Sequence, residues 1–404
     1  MNDSAPLTLK PDDAPVSRAR TALFKRLADV VCLPSSRVNA FERSMIADLL
    51  ADMLREAVTT ERARVARRLA NLTEIPPTLA RMLLRDVFEV AQHLLEPCES
   101  LSDADLVDCA RRGTLEHRRL IAARRGVTEL VAEALIEPME PAVIEVLLRN
   151  SLARLSADAV ERLVAATREH VRIIPLLLRR TELRPSHAYI LFWWADAEAR
   201  RTVLQRFAVS REVLQEAAAD VYPLAAAEGW QEPVSRKALQ FIERRQRNRA
   251  ALQRSSFHSL EAAVSAAETG LTREIAQEIA YLSGLKPMTG AKILTDPGGE
   301  PIAILCKATG LTKAAVRSLW RAMRRPEVDE QGQVTSGLER VLITFDMIAV
   351  DRAQTVLRYW NWSLTSAMTP ALMQAIRDGE EADAETHTGP ERAAMLAWSS
   401  EIGR

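Results

Sequence analysis

Four soft side chains, His93, Cys98, Cys109 and His117, fall within 25 residues and are the first candidates for chemistry. Zinc sites usually set their ligands in pairs with two to four residues between them at a turn, and no two of these four are so spaced. They read instead as small buried cysteines and surface histidines on successive helices, and no metal is expected. Asp296-Pro297-Gly298-Gly299 could turn backbone amides toward an anion, although a Gly-Gly turn between two helices is the commoner use of such a run. No nucleotide-phosphate loop, G-x-G-x-x-G turn, G-x-S-x-G elbow or H-E-x-x-H helix is present. Neither catalytic residues nor a cofactor are expected.

A helix-turn-helix can be read between Ile302 and Arg325. Small Cys306, turn residue Gly310 and apolar Leu311, Val316 and Leu319 stand where that motif needs a close helix contact, a sharp turn and a buried second helix. Lys313, Arg317, Arg321 and Arg324, with Lys307 and Arg325, would then face phosphates. Any tight helix pair needs the same positions. The echo of Ile279–Leu285 (IAYLSGL) in Leu305–Leu311 (LCKATGL), 26 residues on, favours a repeat. In the first copy Pro287 and Gly290 would spoil a recognition helix.

Two clusters suit macromolecular contact. Trp193 and Trp194 are adjacent and thus about 100° apart on a helix, so one is expected in the core and the other partly exposed. From Ser235 to Arg254 seven basic residues stand against the single acidic Glu243, which predicts a long connecting helix with a basic side. Its densest part, Arg244, Arg245, Arg247 and Arg249, is a candidate docking surface for an acidic partner or for the chain's own acidic tail.

These residues must be positioned by helices. Only 5% of the chain is aromatic and 14 residues of 404 are Gly, which favours helix by propensity and starves a sheet of its formers. The pairs Met45/Ile46, Leu49/Leu50 and Met53/Leu54 recur every four residues as one apolar stripe. The pattern returns from Leu79 to Leu95, at Val143, Val146 and Leu147, and at Ala159, Val160, Leu163 and Val164. Short breaks carrying Pro76, Pro77, Ser102, Pro141, Ser156 and Pro185 separate the helices, which are therefore antiparallel neighbours. The expected class is all-α, with helix pairs stacked in a solenoid.

Charges balance at 54 each, so no global field steers the chain to nucleic acid or membrane. Arginine exceeds lysine 47 to 7, which fits a GC-rich bacterial genome. Cys32, Cys98, Cys109 and Cys306 lie far apart, as in a reducing compartment, and no apolar run approaches the ~20 residues of a membrane span. The location is expected to be cytoplasmic.

The stretches 105–156, 190–207 (ILFWWADAEARRTVLQRF) and 303–319 (AILCKATGLTKAAVRSL), with Leu148-Arg149-Asn150 and Phe192-Trp193-Trp194 as distinctive spots, resemble a bacterial helical-repeat family recorded as a domain of unknown function. The resemblance covers roughly residues 40 to 325. It implies a HEAT-like array and brings no catalytic residues with it.

The resulting organisation is a loose arm (1–20), a helical array (21–254), further helix pairs (255–325), a linker (326–337), C-terminal helices (338–376) and an acidic mobile tail (377–404). The expected function is a protein-interaction scaffold or regulator without catalysis, using Trp193, Trp194, Arg244, Arg245, Arg247 and Arg249 on a protein partner. DNA binding through Lys313, Arg317, Arg321 and Arg324 is the alternative. Homo-oligomerisation through the 338–368 helix is left open.

Overall fold

The computed structural model describes residues 18–34, 36–72, 74–96, 101–243, 248–365, 369–380, 382–383 and 386–402. The all-α expectation holds: the described residues form helices throughout, with a single antiparallel bridge between Val328 and Val334. Two compact units divide at 163/164, inside the span 21–254 expected as one array.

Unit 1 holds α1 (Arg18–Val31), α2 (Ala40–Arg55), α3 (Thr59–Leu69), α4 (Pro77–Leu84), α5 (Phe88–Leu95), α6 (Asp103–Arg112), α7 (Leu115–Ala123), α8 (Glu129–Ile136) and α9 (Pro141–Arg149). The unit boundary falls in α10 (Ala157–Ala166). Each helix packs on the next but one: α2 on α4, α4 on α6 and α6 on α8 make one row, and α3, α5, α7 and α9 a second. Local chemistry sets the breaks. Pro77 and Pro141 occupy first-turn positions, where their missing N–H costs nothing, and Ser102 accepts from the Asp105 amide at 3.2 Å as a cap. The α2 stripe divides, because residues 100° apart cannot both face one neighbour: Leu50 and Leu54 are buried with Ala47 and Ala51, while Phe41, Met45 and Leu49 are exposed.

Unit 2 holds α11 (Ile174–Leu177), α12 (Pro185–Leu191), α13 (Ala197–Arg206), α14 (Arg211–Ala217), α15 (Val221–Ala227), α16 (Pro233–Glu243), α17 (Leu260–Ala267), α18 (Arg273–Leu282), α19 (Pro287–Thr295), α20 (Glu300–Thr309), α21 (Lys313–Ala322), α22 (Ser336–Met347), α23 (Val350–Thr365), α24 (Pro370–Asp378) and α25 (Gly389–Ile402). Its centre is α20, buried along nearly its whole length and packed on α19, α21, α22 and α23.

The 26-residue echo is structural. Gly284 and Gly310 both take left-handed φ, at 73° and 75°, and the next amide of each bonds back, Leu285 to Ala280 and Leu311 to Cys306, at 2.8 and 2.9 Å. Pro287 does not spoil the helix after the first echo, since it sits in the first turn of α19. Gly290 serves closeness: a Cβ there would lie 2.4 Å from Ala280 Cβ, so α18 and α19 pack on bare backbone.

Two expectations, the helix over 235–254 and the mobile tail, are corrected. The single helix expected over 235–254 does not run to 254: α16 is described to Glu243, and 249–253 is a short 3-10 turn, before which Asn248 donates its amide to Leu282 O at 3.1 Å instead of to its own helix. The linker expected over 326–337 carries a turn bridged by Val328 and Val334, in which Asp329 Oδ1 accepts from the amides of Gln331 and Gln333, both at 2.9 Å. The tail is not a loose acidic strand throughout: 389–402 is α25, packed on α12, α23 and α24 through buried Ala393, Ala394, Met395, Ala397 and Trp398.

Candidate functional site

A buried knot of charge and aromatic rings lies in unit 2 where α12, α13, α19, α20 and α23 bring in side chains far apart in sequence. It is built on an arginine arrangement that recurs along the chain. Arg62, Arg118 and Arg200 are each the fourth residue of a helix, and each donates to a carbonyl five residues back, that of Ala57, Gly113 and Ala195 respectively. The rest of each guanidinium forks onto a carboxylate: Asp86 at 2.6 and 2.9 Å, Glu140 at 2.6 and 2.6 Å, Asp296 at 2.7 and 2.8 Å. Two N–H bonds in one plane fix the angle as well as the distance between segments.

The third copy differs from the first two. Its carboxylate comes from 96 residues away, and Glu300 joins it, accepting from Arg200 Nη1 at 2.8 Å. All three side chains are at most 7% exposed. Burial opposes the charged guanidinium, but the two carboxylates outweigh it and raise the Arg200 pKa above its ordinary value. The Asp-Pro-Gly-Gly turn is thus filled from within. Asp296 Oδ2 accepts the Gly299 amide at 2.9 Å, and a Cβ on Gly298 would lie 2.4 Å from Arg200 Nη1, so the place expected for an external anion holds the protein's own carboxylates. Burial lowers the pKa of neighbouring Arg325, which lies over Trp320 with its guanidinium carbon 4.9 Å from the ring centroid.

Arg200 also lies over the Phe192 ring at 4.9 Å, and that ring opens the aromatic half of the knot. Phe192, Trp193 and Trp360 are mutually in contact, with centroids 4.8 to 6.1 Å apart. Trp360 is fully buried. Buried Lys292 is held between Trp193 (5.3 Å) and Trp398 (4.6 Å), and its ammonium donates to Ala397 O at 3.1 Å. Trp193 and Trp194 divide differently from expectation, since both are half-buried: Trp193 in this stack, Trp194 donating its indole N–H to Thr167 Oγ1 at 2.9 Å under Arg168.

Of the basic cluster, Arg244, Arg245 and Arg247 lie outside the described residues, and Arg249 falls in the 3-10 turn with its side chain undescribed. The helix pair expected over 302–325 exists as α20–α21. Its first helix is the core of the unit rather than a surface element. Lys313 pairs with Asp346 at 2.5 Å and Arg321 with Glu268 at 2.9 Å, while Arg317 and Arg324 form no ion pair among the described residues. Exposed pairs are worth under about 1 kcal/mol, so duplex phosphates could compete for both.

The three described members of the soft set do not converge. His117 faces the Asp86 carbonyl at 3.2 Å, Cys109 donates to Leu84 O at 3.3 Å, and His93 lies 3.3 Å from Arg67. Cys98 is outside the described residues. Burial pushes the Cys109 thiol up to about 12 and the Cys306 thiol up as well, so neither is a thiolate at neutral pH. Among the described residues no group of three or more His, Cys, Asp or Glu could hold a metal, and no helix is long and apolar enough to cross a membrane.

The reading from sequence missed Arg200, Lys292, Asp296, Glu300, Trp360 and Trp398 as one assembly. The available signal was the arginine four residues after a helix-capping residue, seen after Thr114 and Asp196. A family model described as an uncharacterised protein conserved in bacteria (DUF2336) matches residues 90–358. No curated protein and no solved structure matches.

Proposed function

The chain belongs to this uncharacterised bacterial family, and from that premise we propose that it is a HEAT-like helical-repeat scaffold or regulator that binds another protein and performs no catalysis. One observation carries the reading. Many of the side-chain bonds that join successive helix pairs in unit 1 span 22 to 29 residues, with Arg68–Asp29 at 39 and His117–Asp86 O at 31 outside that interval. Arg62–Asp86, Arg85–Asp108, Thr128–Asp103, Ser156–Glu133 and Asn150–Ala122 all fall in that interval. A bond repeated at one interval is what stacking of like units produces, and stacked units present a long continuous face rather than an enclosed pocket.

The partner surface is the outward part of Trp193 and Trp194 together with Arg244, Arg245, Arg247 and Arg249, in the cytoplasm. Tryptophan and arginine carry most interface energy where they occur. The test is capture of partners on the tagged full chain from source-cell lysate, with and without nuclease, beside the variant carrying glutamate at the four arginines. A stoichiometric protein retained after nuclease and lost from the variant is the expected result. Retention of duplex DNA, weakened by Arg317→Ala and Arg321→Ala and falling steeply with salt, would replace this reading with the DNA-binding one.

A further inference from the structure

We propose that the cleft holding α25 is a receptor seat for a single short helix, which this chain fills with its own C-terminal helix as a displaceable plug. The inference deepens the scaffold reading by naming the chemistry of the partner: a helix with a face of small residues and one tryptophan anchor.

Three observations converge. The first is where the pieces lie. The seat is made by α12, by Lys292 of α19 and by α23, which begins inside the span 90–358 shared with the family, whereas α24 and α25 follow that span. The plug follows the family span, while α12, Lys292 and the first part of α23 lie within it.

The second is how the plug is held. Ala393, Ala394 and Ala397 let α25 come close to its neighbours but bury little apolar area each, so Met395 and Trp398 supply most of the burial. Trp398 is the anchor: its indole N–H donates to Leu364 O at 3.2 Å and its ring lies over Lys292. The buried residues of α20, by contrast, include Ile302, Ile304 and Leu305.

The third is what the closed seat costs. Lys292 is 8% exposed, and an ammonium taken from water must be compensated. Two ring faces and the Ala397 carbonyl do this, and one ring and the carbonyl belong to the plug. Withdrawing α25 gives up that ring and that carbonyl together with the small apolar area of its alanine face. Opening at the plug is therefore cheaper than opening anywhere around α20. A partner helix offering the same small face and anchor competes for the seat.

Hydrogen exchange on the unmodified full chain tests the plug without a partner. Amides of α25 should exchange at least a hundredfold faster than those of α20 and α22, and equal protection would overturn the proposal by making α25 part of the core. A fluorescein-labelled peptide of residues 386–402 tests the seat. It should bind the full chain carrying Trp398→Ala at least tenfold more tightly than the unaltered chain, because the unaltered seat is occupied, and the same peptide with Trp398→Ala should not bind. No saturable binding to the variant chain, or equal binding to both chains, would overturn the seat. Should the variant chain lose its fold, the exchange measurement decides alone. Because neither readout requires a natural partner, failure here is distinct from failure of the scaffold reading.

Discussion

Removing the Arg200 guanidinium should unbalance the centre of unit 2 more than any other single substitution of a charged residue. In Arg200→Met the stem still packs over Phe192, but Asp296 and Glu300, 2% and 5% exposed, lose their common counter-ion, and the Ala195 carbonyl loses its donor. Breaking one side of a buried, fully bonded ion cluster costs about 3–5 kcal/mol, chiefly through the charges left behind. With a urea dependence of about 2 kcal/mol per molar, the midpoint should fall by roughly 1.5–2.5 M. The assay is intrinsic fluorescence in urea, which reports unit 2 because all seven tryptophans follow residue 163. The triple variant Arg200→Met/Asp296→Asn/Glu300→Gln, which removes the orphaned charge, should recover most of the loss. Arg85→Met, whose half-exposed partner Asp108 keeps its pair with Arg112, should cost under about 1 kcal/mol by circular dichroism. A loss below about 1 kcal/mol for Arg200→Met, or no recovery in the triple variant, would refute the account of the cluster.

Burial pushes the His187 imidazole down to about 4, well below its ordinary 6.5. Between those values the unfolded chain binds the proton and the folded chain does not, so stability falls as pH drops from 6.5 toward 4, by up to about 3 kcal/mol. His187→Gln should flatten that part of the profile relative to the unaltered chain, and parallel profiles would show that His187 is not the group. Gly290→Ala should destabilise unit 2 by about 1–3 kcal/mol in urea, since its new methyl meets Ala280 Cβ; a neutral or stabilising result would mean that α18 and α19 can separate freely. Arg62→Ala should cost about 2–4 kcal/mol, read by circular dichroism because unit 1 has no tryptophan, through loss of the fork to Asp86 and the bond to Ala57 O. A cost equal to that of Arg85→Met would remove the distinction between a buried fork and a surface ion pair.

Most of the helices were legible because their signals are local. Capping serines, first-turn prolines, the apolar period and the paired IAYLSGL and LCKATGL segments act over four to seven residues, and each marks a boundary or turn found in the structure. The helix over 235–254 was misread because its basic composition says nothing of Asn248, whose amide is drawn to Leu282 in another element. The tail was misread from its acidic lead-in, 378–390, although Ala393, Ala394, Ala397 and Trp398 were in plain view at helical spacing.

By itself, the sequence determined that the chain is helical, where several of its helices begin and end, and that the segment IAYLSGL is echoed 26 residues on, because propensity, capping and period are written within a few residues of one another. Tertiary structure alone decided which charges are paired and which rings are covered. Arg200 resembles the other arginines of this chain until Asp296 arrives from 96 residues away, and Trp193 is half-covered only because Trp360 and Lys292 reach it from α23 and α19. Burial belongs to the assembled packing, and no local run of residues carries it.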